Sequence, residues 1–203
     1  QEIYPVMIGS AEALGVALKL IGIDAHLNVL SEFDPHNLQP GAINVYDPGA
    51  LNITDVVVGQ LDELAGEASM LYNRQGAELA MTGQIHGLVT LPVTKASTKL
   101  AGYDYPGQAE YFAKLAGNLP FTTILIYRDF RAALFTTHMP LIEACSMVNK
   151  DNLLNKIKYL HAKRLDLGFP NLRLAIASLN PHAGESGTMG REEIDEMEPA
   201  IEE

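Results

Sequence analysis

Two histidines stand where a divalent metal could be held. His138 follows the apolar run 132–137 and precedes Met139-Pro140, and His182 follows the β-branched run 172–179 through Asn180-Pro181. In a parallel α/β sheet, residues just past the carboxyl ends of strands line the crevice where ligands bind. Two imidazoles placed there can share one metal. A catalytic metal centre usually takes three protein groups, so the third must be a carboxylate such as Glu185 or a residue outside this chain. The single cysteine, Cys145, excludes a cysteine-rich metal site and an intramolecular disulfide. The other four histidines, His26, His36, His86 and His161, show no such placement and read as surface or loop residues. The plain alternative for His138 and His182 is an ordinary loop histidine bonded to backbone.

Three further stretches could touch a substrate. Residues 182–190 form a glycine-rich loop in which backbone amides could approach an anion. The loop lacks the Lys-Ser or Lys-Thr of a phosphate loop, and Glu192 and Glu193 would oppose a phosphate at the start of the next helix. A flexible loop packed over His182 is the simpler expectation. Lys95 follows the apolar run 88–93, where it can bind a carboxylate or phosphate or transfer a proton; more often such a lysine is a solvated helix start. Tyr105-Pro106-Gly107-Gln108-Ala109-Glu110 is a turn that opens a helix.

The elements that must position these residues alternate between β-branched runs and helical stretches, the rhythm of an α/β fold with a largely parallel sheet. Residues 4–8 are a strand candidate, and a helix capped by Ser10 runs to about Leu20 and stops near Gly22. Residues 31–54, rich in Pro and Gly, read as loop with one edge-type strand at 42–46. A long helix is expected over 59–79, a strand over 88–93 and a short helix over 109–116. Runs 122–127 and 132–136, broken at Arg128-Asp129, predict a hairpin. Residues 149–165 predict an amphipathic helix with a solvated basic face, and 172–179 is the most strand-like run of all. The acidic stretch 192–203 predicts an amphipathic helix with a solvated face, interrupted by Pro199. No repeat or clear linker fixes a domain boundary.

Composition narrows the partners. With 203 residues, 47% of them hydrophobic, the chain can bury a sizeable core. A net charge of −11 disfavours nucleic acid and anionic lipid surfaces. No apolar run is long enough to span a bilayer, and the start lacks the pattern of a secretory signal. A cytoplasmic location fits. Both ends read as cut, since the chain opens at Gln1 directly into an apolar strand and closes on a helix whose apolar stripe needs a neighbour.

Taken together, several of these stretches resemble the 4-hydroxythreonine-4-phosphate dehydrogenase family of pyridoxal phosphate biosynthesis. They are residues 91–95, 105–111, 136–141 and, above all, Asn180-Pro181-His182-Ala183-Gly184-Glu185, followed by Met189-Gly190 and Glu192-Glu193-Ile194-Asp195. The resemblance covers nearly the whole chain, without the family's opening glycine-rich strand and its C-terminal portion. It implies a fold like that of the isocitrate and isopropylmalate dehydrogenases, with largely parallel sheet, flanking helices and a two-domain cleft, in a homodimer. It implies NAD and a divalent metal (Zn, Mg or Co), with oxidation and decarboxylation of a small hydroxy substrate. His138 and His182 fall on two of the family's three metal histidines, and the third has no counterpart here. Lys95 becomes a candidate for substrate anchoring or proton transfer. The resemblance implies 4-phosphooxy-threonine or a related vicinal hydroxy compound as substrate. Gln108-Ala109 stands where the family has a substrate-contacting His-Thr pair, a departure that points away from 4-phosphooxy-threonine toward relatives' substrates such as sugar-acid phosphates or aromatic cis-dihydrodiols. Two other readings stay open: a non-catalytic fragment or binding domain of the same fold, and a metal-dependent hydrolase or aldolase using Glu185 as third ligand.

Overall fold

The computed structural model describes residues 3–203; Gln1 and Glu2, where the chain opens, lie outside the described residues. The chain divides into two compact units, Gln1–Pro120 and Phe121–Glu203.

The first unit contains β1 (Val6–Ile8), α1 (Ala11–Leu20), β2 (Leu27–Leu30), β3 (Ile43–Tyr46), α2 (Glu63–Met81), α3 (Lys95–Leu100) and α4 (Gln108–Leu115). Its strands form a parallel sheet in the order β1-β3-β2, so the α/β class with a parallel sheet holds. Helix α1 begins as its sequence dictates, with Ser10 Oγ accepting from the Ala13 amide at 3.2 Å. Gly22 adopts a φ of +71° just past its end, a conformation that costs glycine little.

The strand expected at an edge, β3, is instead the middle one. Its side chains explain how a segment between Pro- and Gly-rich loops can lie inside a sheet. Val45 is 1% exposed, and buried Asn44 faces Asn28 of β2 across the ladder. Asn28 Nδ2 donates to Asn44 Oδ1 at 2.8 Å, and the Gln39 amide donates to the same oxygen at 2.8 Å. Strand β2 carries Asn28, a residue type more at home in turns; here its amide is satisfied sideways by Asn44.

Helix α2 is capped by Asp62, whose Oδ1 accepts from the Ala65 amide at 2.9 Å. Its buried residues are Gly66, Ala68, Met70, Gly76, Ala77 and Leu79, most of them small. That allows neighbours to approach closely. The expected strand at 88–93 pairs with no strand of the sheet. Its β-branched and apolar residues favour extended backbone, but a strand also needs a partner ladder. The segment packs by side chains instead, with Leu88 against the Gly76 face of α2.

Tyr72 of α2 carries a buried hydroxyl without a hydrogen-bond partner among the described residues. Burial, reinforced by the negative charge of Asp47, pushes its pKa up to about 12. A buried unsatisfied hydroxyl costs about 1 kcal/mol or more. Tyr72→Phe is therefore expected to stabilise the protein by about 1 kcal/mol, read as a higher urea midpoint at unchanged m-value. An equal loss would show that the hydroxyl has a bonding role.

The second unit contains the antiparallel hairpin β4 (Ile124–Tyr127) and β5 (Phe130–Ala133), then α5 (Leu141–Ser146), α6 (Lys150–Ala162), a π-helical turn at Glu193–Met197 and α7 (Glu198–Glu202). Arg128, at a φ of +49°, makes the hairpin turn where the polar break predicted it. Leu153, Met197 and Ala200 form the buried core, with Phe135, Val148, Leu154, Ile157 and Ile176 packed against it. Run 172–179 forms no strand, contrary to its composition; Ile176 packs on the core and no neighbouring strand offers a ladder among the described residues.

The acidic C-terminal stretch is less solvated than expected. Glu196 Oε2 accepts from the Lys150 amide at 2.7 Å and so caps α6 from outside that helix. Glu203 pairs with Lys150 at 3.0 Å and Lys158 at 3.4 Å, which holds its carboxyl below the usual range. Pro199 lies in the first turn of α7, where its missing N–H is tolerated. The basic face of α6 is likewise in use, since Lys156 Nζ donates to Thr122 Oγ1 at 3.1 Å. Among the described residues, no helix is long and apolar enough to cross a membrane.

Candidate active-site residues

His182 does not leave a strand end. It opens a run of five consecutive left-handed residues, His182, Ala183, Gly184, Glu185 and Ser186, with φ of 52°, 50°, 76°, 43° and 53°. For residues with a side chain this conformation costs about 1–2 kcal/mol each, and it ordinarily occurs singly. Something must hold it. Local bonds close part of the turn: the Met189 amide donates to the Gly184 carbonyl at 3.0 Å, and the Thr188 amide and hydroxyl donate to the Glu185 carbonyl at 3.2 and 2.9 Å.

Just before the turn, Asn180 is bonded to two glutamates. The Asn180 amide donates to Glu193 Oε1 at 2.6 Å, and its Nδ2 donates to Glu192 Oε2 at 2.6 Å and Glu193 Oε2 at 2.9 Å. Glu193 is only 6% exposed. The side-chain amide of Asn180, then its backbone N–H, hold that carboxyl below the ordinary carboxylate range. The glycines of this loop are spacers. A Cβ on Gly184 would lie 2.7 Å from the Gly190 carbonyl, and one on Gly190 would lie 2.5 Å from Glu192 Oε2 and 2.6 Å from Asn180 Nδ2. The glycine-rich loop is thus bounded by hydrogen bonds, with Glu192 and Glu193 accepting from Asn180 on one side.

His138 also has a left-handed backbone, φ 52°, and follows the antiparallel strand β5 rather than a parallel one. The equivalence of the two histidines therefore lies in their backbone conformation, not in two parallel strand exits. Both side chains are exposed and both belong to the second unit. Among the described residues, no three His, Cys, Asp or Glu side chains come together as a metal-binding group. Glu185 accordingly does not complete a three-ligand site with them.

In the first unit, Lys95 is the first residue of α3 and its Nζ donates to the Pro106 carbonyl. Gln108 is the first residue of α4, and its Nε2 donates to Leu91 O at 3.2 Å and Asn73 Oδ1 at 3.3 Å. Ala109 follows, half-buried. These bonds bring 91, 95, 106 and 108 around one loop and anchor it to α2. Tyr111 fixes α4 from beneath: it is buried, its ring stacks edge-on with Tyr105 at 5.0 Å, and its hydroxyl donates to Met70 O at 3.4 Å. Gly107 caps α4 without a side chain to satisfy the first N–H groups. Asn73, Asn180, Glu192 and Glu193 were not singled out for these roles. Asn180 could have been, because it precedes a proline within the densest motif of the chain.

The fold and these loops define an α/β protein with a clamped, histidine-bearing turn in one unit and a lysine-glutamine loop in the other. The family model for the pyridoxal phosphate biosynthetic protein PdxA matches residues 1–203, and the chain belongs to that family. A protein of Symbiobacterium thermophilum, provisionally named D-threonate 4-phosphate dehydrogenase, is 31% identical over 100% of this chain and 62% of its own length. The 4-hydroxythreonine-4-phosphate dehydrogenase of Aquifex aeolicus is 32% identical over 98% of this chain and 60% of its own. Among solved structures, the 4-hydroxythreonine-4-phosphate dehydrogenase of Klebsiella pneumoniae superposes with a TM-score of 0.85 at 29% identity, over 97% of this chain and 60% of that one. The chain thus spans about three-fifths of the length of the relatives it matches.

Proposed function

We propose that the protein carrying this chain is an NAD-dependent, divalent-metal-dependent dehydrogenase that oxidises, with decarboxylation, 4-phosphooxy-threonine or a related vicinal hydroxy substrate. The observation that carries this reading is the family match over residues 1–203, with the family's Asn-Pro-His-Ala-Gly-Glu string lying in the strained turn at His182. Strain of this kind persists where surrounding structure enforces it, and it gathers at functional sites. On this reading the whole protein has the two-domain cleft of the isocitrate and isopropylmalate dehydrogenases and works as a homodimer in the cytoplasm.

His138 and His182 are the metal ligands that this chain supplies. Their imidazoles suit a divalent transition metal, and a third donor is drawn from outside the described residues. When bound, the metal lowers the pKa of a coordinated hydroxyl and the nicotinamide accepts hydride. Lys95 anchors a substrate carboxylate or phosphate by exchanging the Pro106 carbonyl for it. The open amides at the start of α4, at Gln108 and Ala109, favour the same negative charge. Gln108-Ala109 in place of His-Thr removes an imidazole and a hydroxyl from the substrate's surroundings. That change supports a hydroxy acid phosphate, as in the name of the Symbiobacterium relative, beside 4-phosphooxy-threonine.

The test is NADH formation by the protein carrying this chain, with each of those two phosphorylated substrates, before and after chelation of metal. NAD reduction that disappears with chelator and returns with metal is the expected result, with the hydroxy acid phosphate the faster substrate. Metal-dependent cleavage of either compound without NAD reduction would favour the hydrolase or aldolase reading instead, and inertness toward both would favour a binding domain.

A further inference from the structure

The five left-handed residues at 182–186 cannot be explained by their own preferences, since only Gly184 adopts that conformation at little cost. We propose that Asn180 and Glu193 are positioning residues: the buried Glu193 carboxylate grips both the backbone and the side chain of Asn180, and this pairing holds the left-handed turn that presents the His182 imidazole. The functional part rests on reading His182 as a metal ligand; the conformational part does not.

Three features carry the inference. The pairing is double, with separate Glu193 oxygens taking the Asn180 N–H at 2.6 Å and Nδ2 at 2.9 Å. It fixes the residue two positions before His182 in both backbone and rotamer. Its acceptor is also buried: Glu193 is set in a π-helical turn, a widening of the helix that aims its side chain differently from a regular turn. Finally, the glycines leave room for it: Gly190 has space for no Cβ beside Asn180 Nδ2 and Glu192, and Gly184 has none beside the Gly190 carbonyl. Side chains elsewhere in the loop are exposed, so the turn has no packing of its own to hold it.

Two perturbations approach the clamp from opposite sides. Glu193→Gln keeps the volume but replaces one of the two accepting oxygens by an amide NH2, so that a donor faces either the Asn180 N–H or its Nδ2. Gly190→Ala leaves both partners and wedges them apart. Each is made in the protein carrying this chain and examined by backbone chemical shifts of residues 182–186 in metal-free protein, by thermal unfolding and by Co²⁺ titration. The expected result is loss of the left-handed shift signature in both variants, with the remaining resonances unchanged, and Co²⁺ binding weakened about 10- to 100-fold, as for other groups that orient a metal ligand. If Glu193→Gln fails to fold, Gly190→Ala decides. A left-handed signature that survives in a folded variant overturns the proposal. So does its loss with Co²⁺ affinity unchanged, which would make the clamp purely structural. If the parent protein binds no Co²⁺ yet the variants lose the turn, the clamp stands and the metal reading falls.

Discussion

His182→Asn and His138→Asn are each expected to weaken divalent-metal binding by more than about 100-fold and to lower NAD-dependent turnover in parallel, while barely moving the unfolding midpoint. The magnitude follows from rank: partners that merely orient a metal ligand are worth about 10- to 100-fold in affinity, and a ligand itself must exceed them. The choice of asparagine follows from the backbone. Both histidines sit at φ of 52°, a region where Asn is several-fold enriched and Ala is not. An alanine variant would remove the imidazole and also release the turn, so loss of metal could not be ascribed to either. Asparagine keeps the turn and removes only the nitrogen donor. Both side chains are exposed and outside the buried core, so stability is expected to change by less than about 0.5 kcal/mol. Equilibrium dialysis against Zn²⁺ or Co²⁺ and thermal unfolding of the same samples separate the two effects. Metal affinity within about tenfold of the parent in either variant would remove that histidine from the ligand set.

The sequence disclosed the helices better than the strands, for a physical reason. A helix satisfies its own backbone, so Ser10 announces α1 by local capping, and the runs read as helical at 59–79 and 149–165 hold α2 and α6, although α2 starts only after its cap at Asp62. A strand depends on a neighbour that periodicity cannot name. Runs 88–93 and 172–179 have strand composition without a ladder, while β2, interrupted by Asn28, has a ladder because Asn44 lies opposite. The hairpin was legible because its partner is its own continuation. Among the candidate site residues, His138 and His182 stand out by type and motif, but neither leaves the end of a parallel strand. The left-handed backbone at His182 is held from further along the chain, by Glu193, and burial of a carboxylate in an acidic stretch runs against the usual preference of Glu for water. The partners of Gln108, at Asn73 and Leu91, are likewise products of tertiary packing.

Gly66→Ala and Gly15→Ala are the same change in the same kind of element, and they are expected to have opposite signs. In an unencumbered helix, alanine is favoured over glycine by about 0.5–1 kcal/mol. Gly15 of α1 meets that condition, since an added Cβ would find nothing within 4 Å, and its replacement should stabilise by about that amount. At Gly66 of α2 the same Cβ would lie 2.1 Å from the Ser97 carbonyl oxygen, 2.4 Å from its carbon and 2.9 Å from the Thr98 nitrogen. These are backbone atoms, so no rotamer change relieves the overlap; α3 must move as a body. That motion also breaks the bond from the Asp62 amide to Ser97 Oγ, 3.2 Å long, which ties the start of α2 to α3. Overpacking of this kind costs about 1–3 kcal/mol or more, and with backbone on both sides the upper part of that range should apply. After the helix gain is subtracted, Gly66→Ala is expected to destabilise by about 2 kcal/mol. Urea midpoints of the two variants read the signs directly. Because α3 begins at Lys95, displacement of that helix should also raise KM for an anionic substrate in the Gly66 variant and leave KM unchanged in the Gly15 one. A Gly66→Ala protein as stable as its parent would mean that α2 and α3 do not meet at this distance, and Lys95 would then lose the support on which its placement beside Pro106 and Gln108 depends.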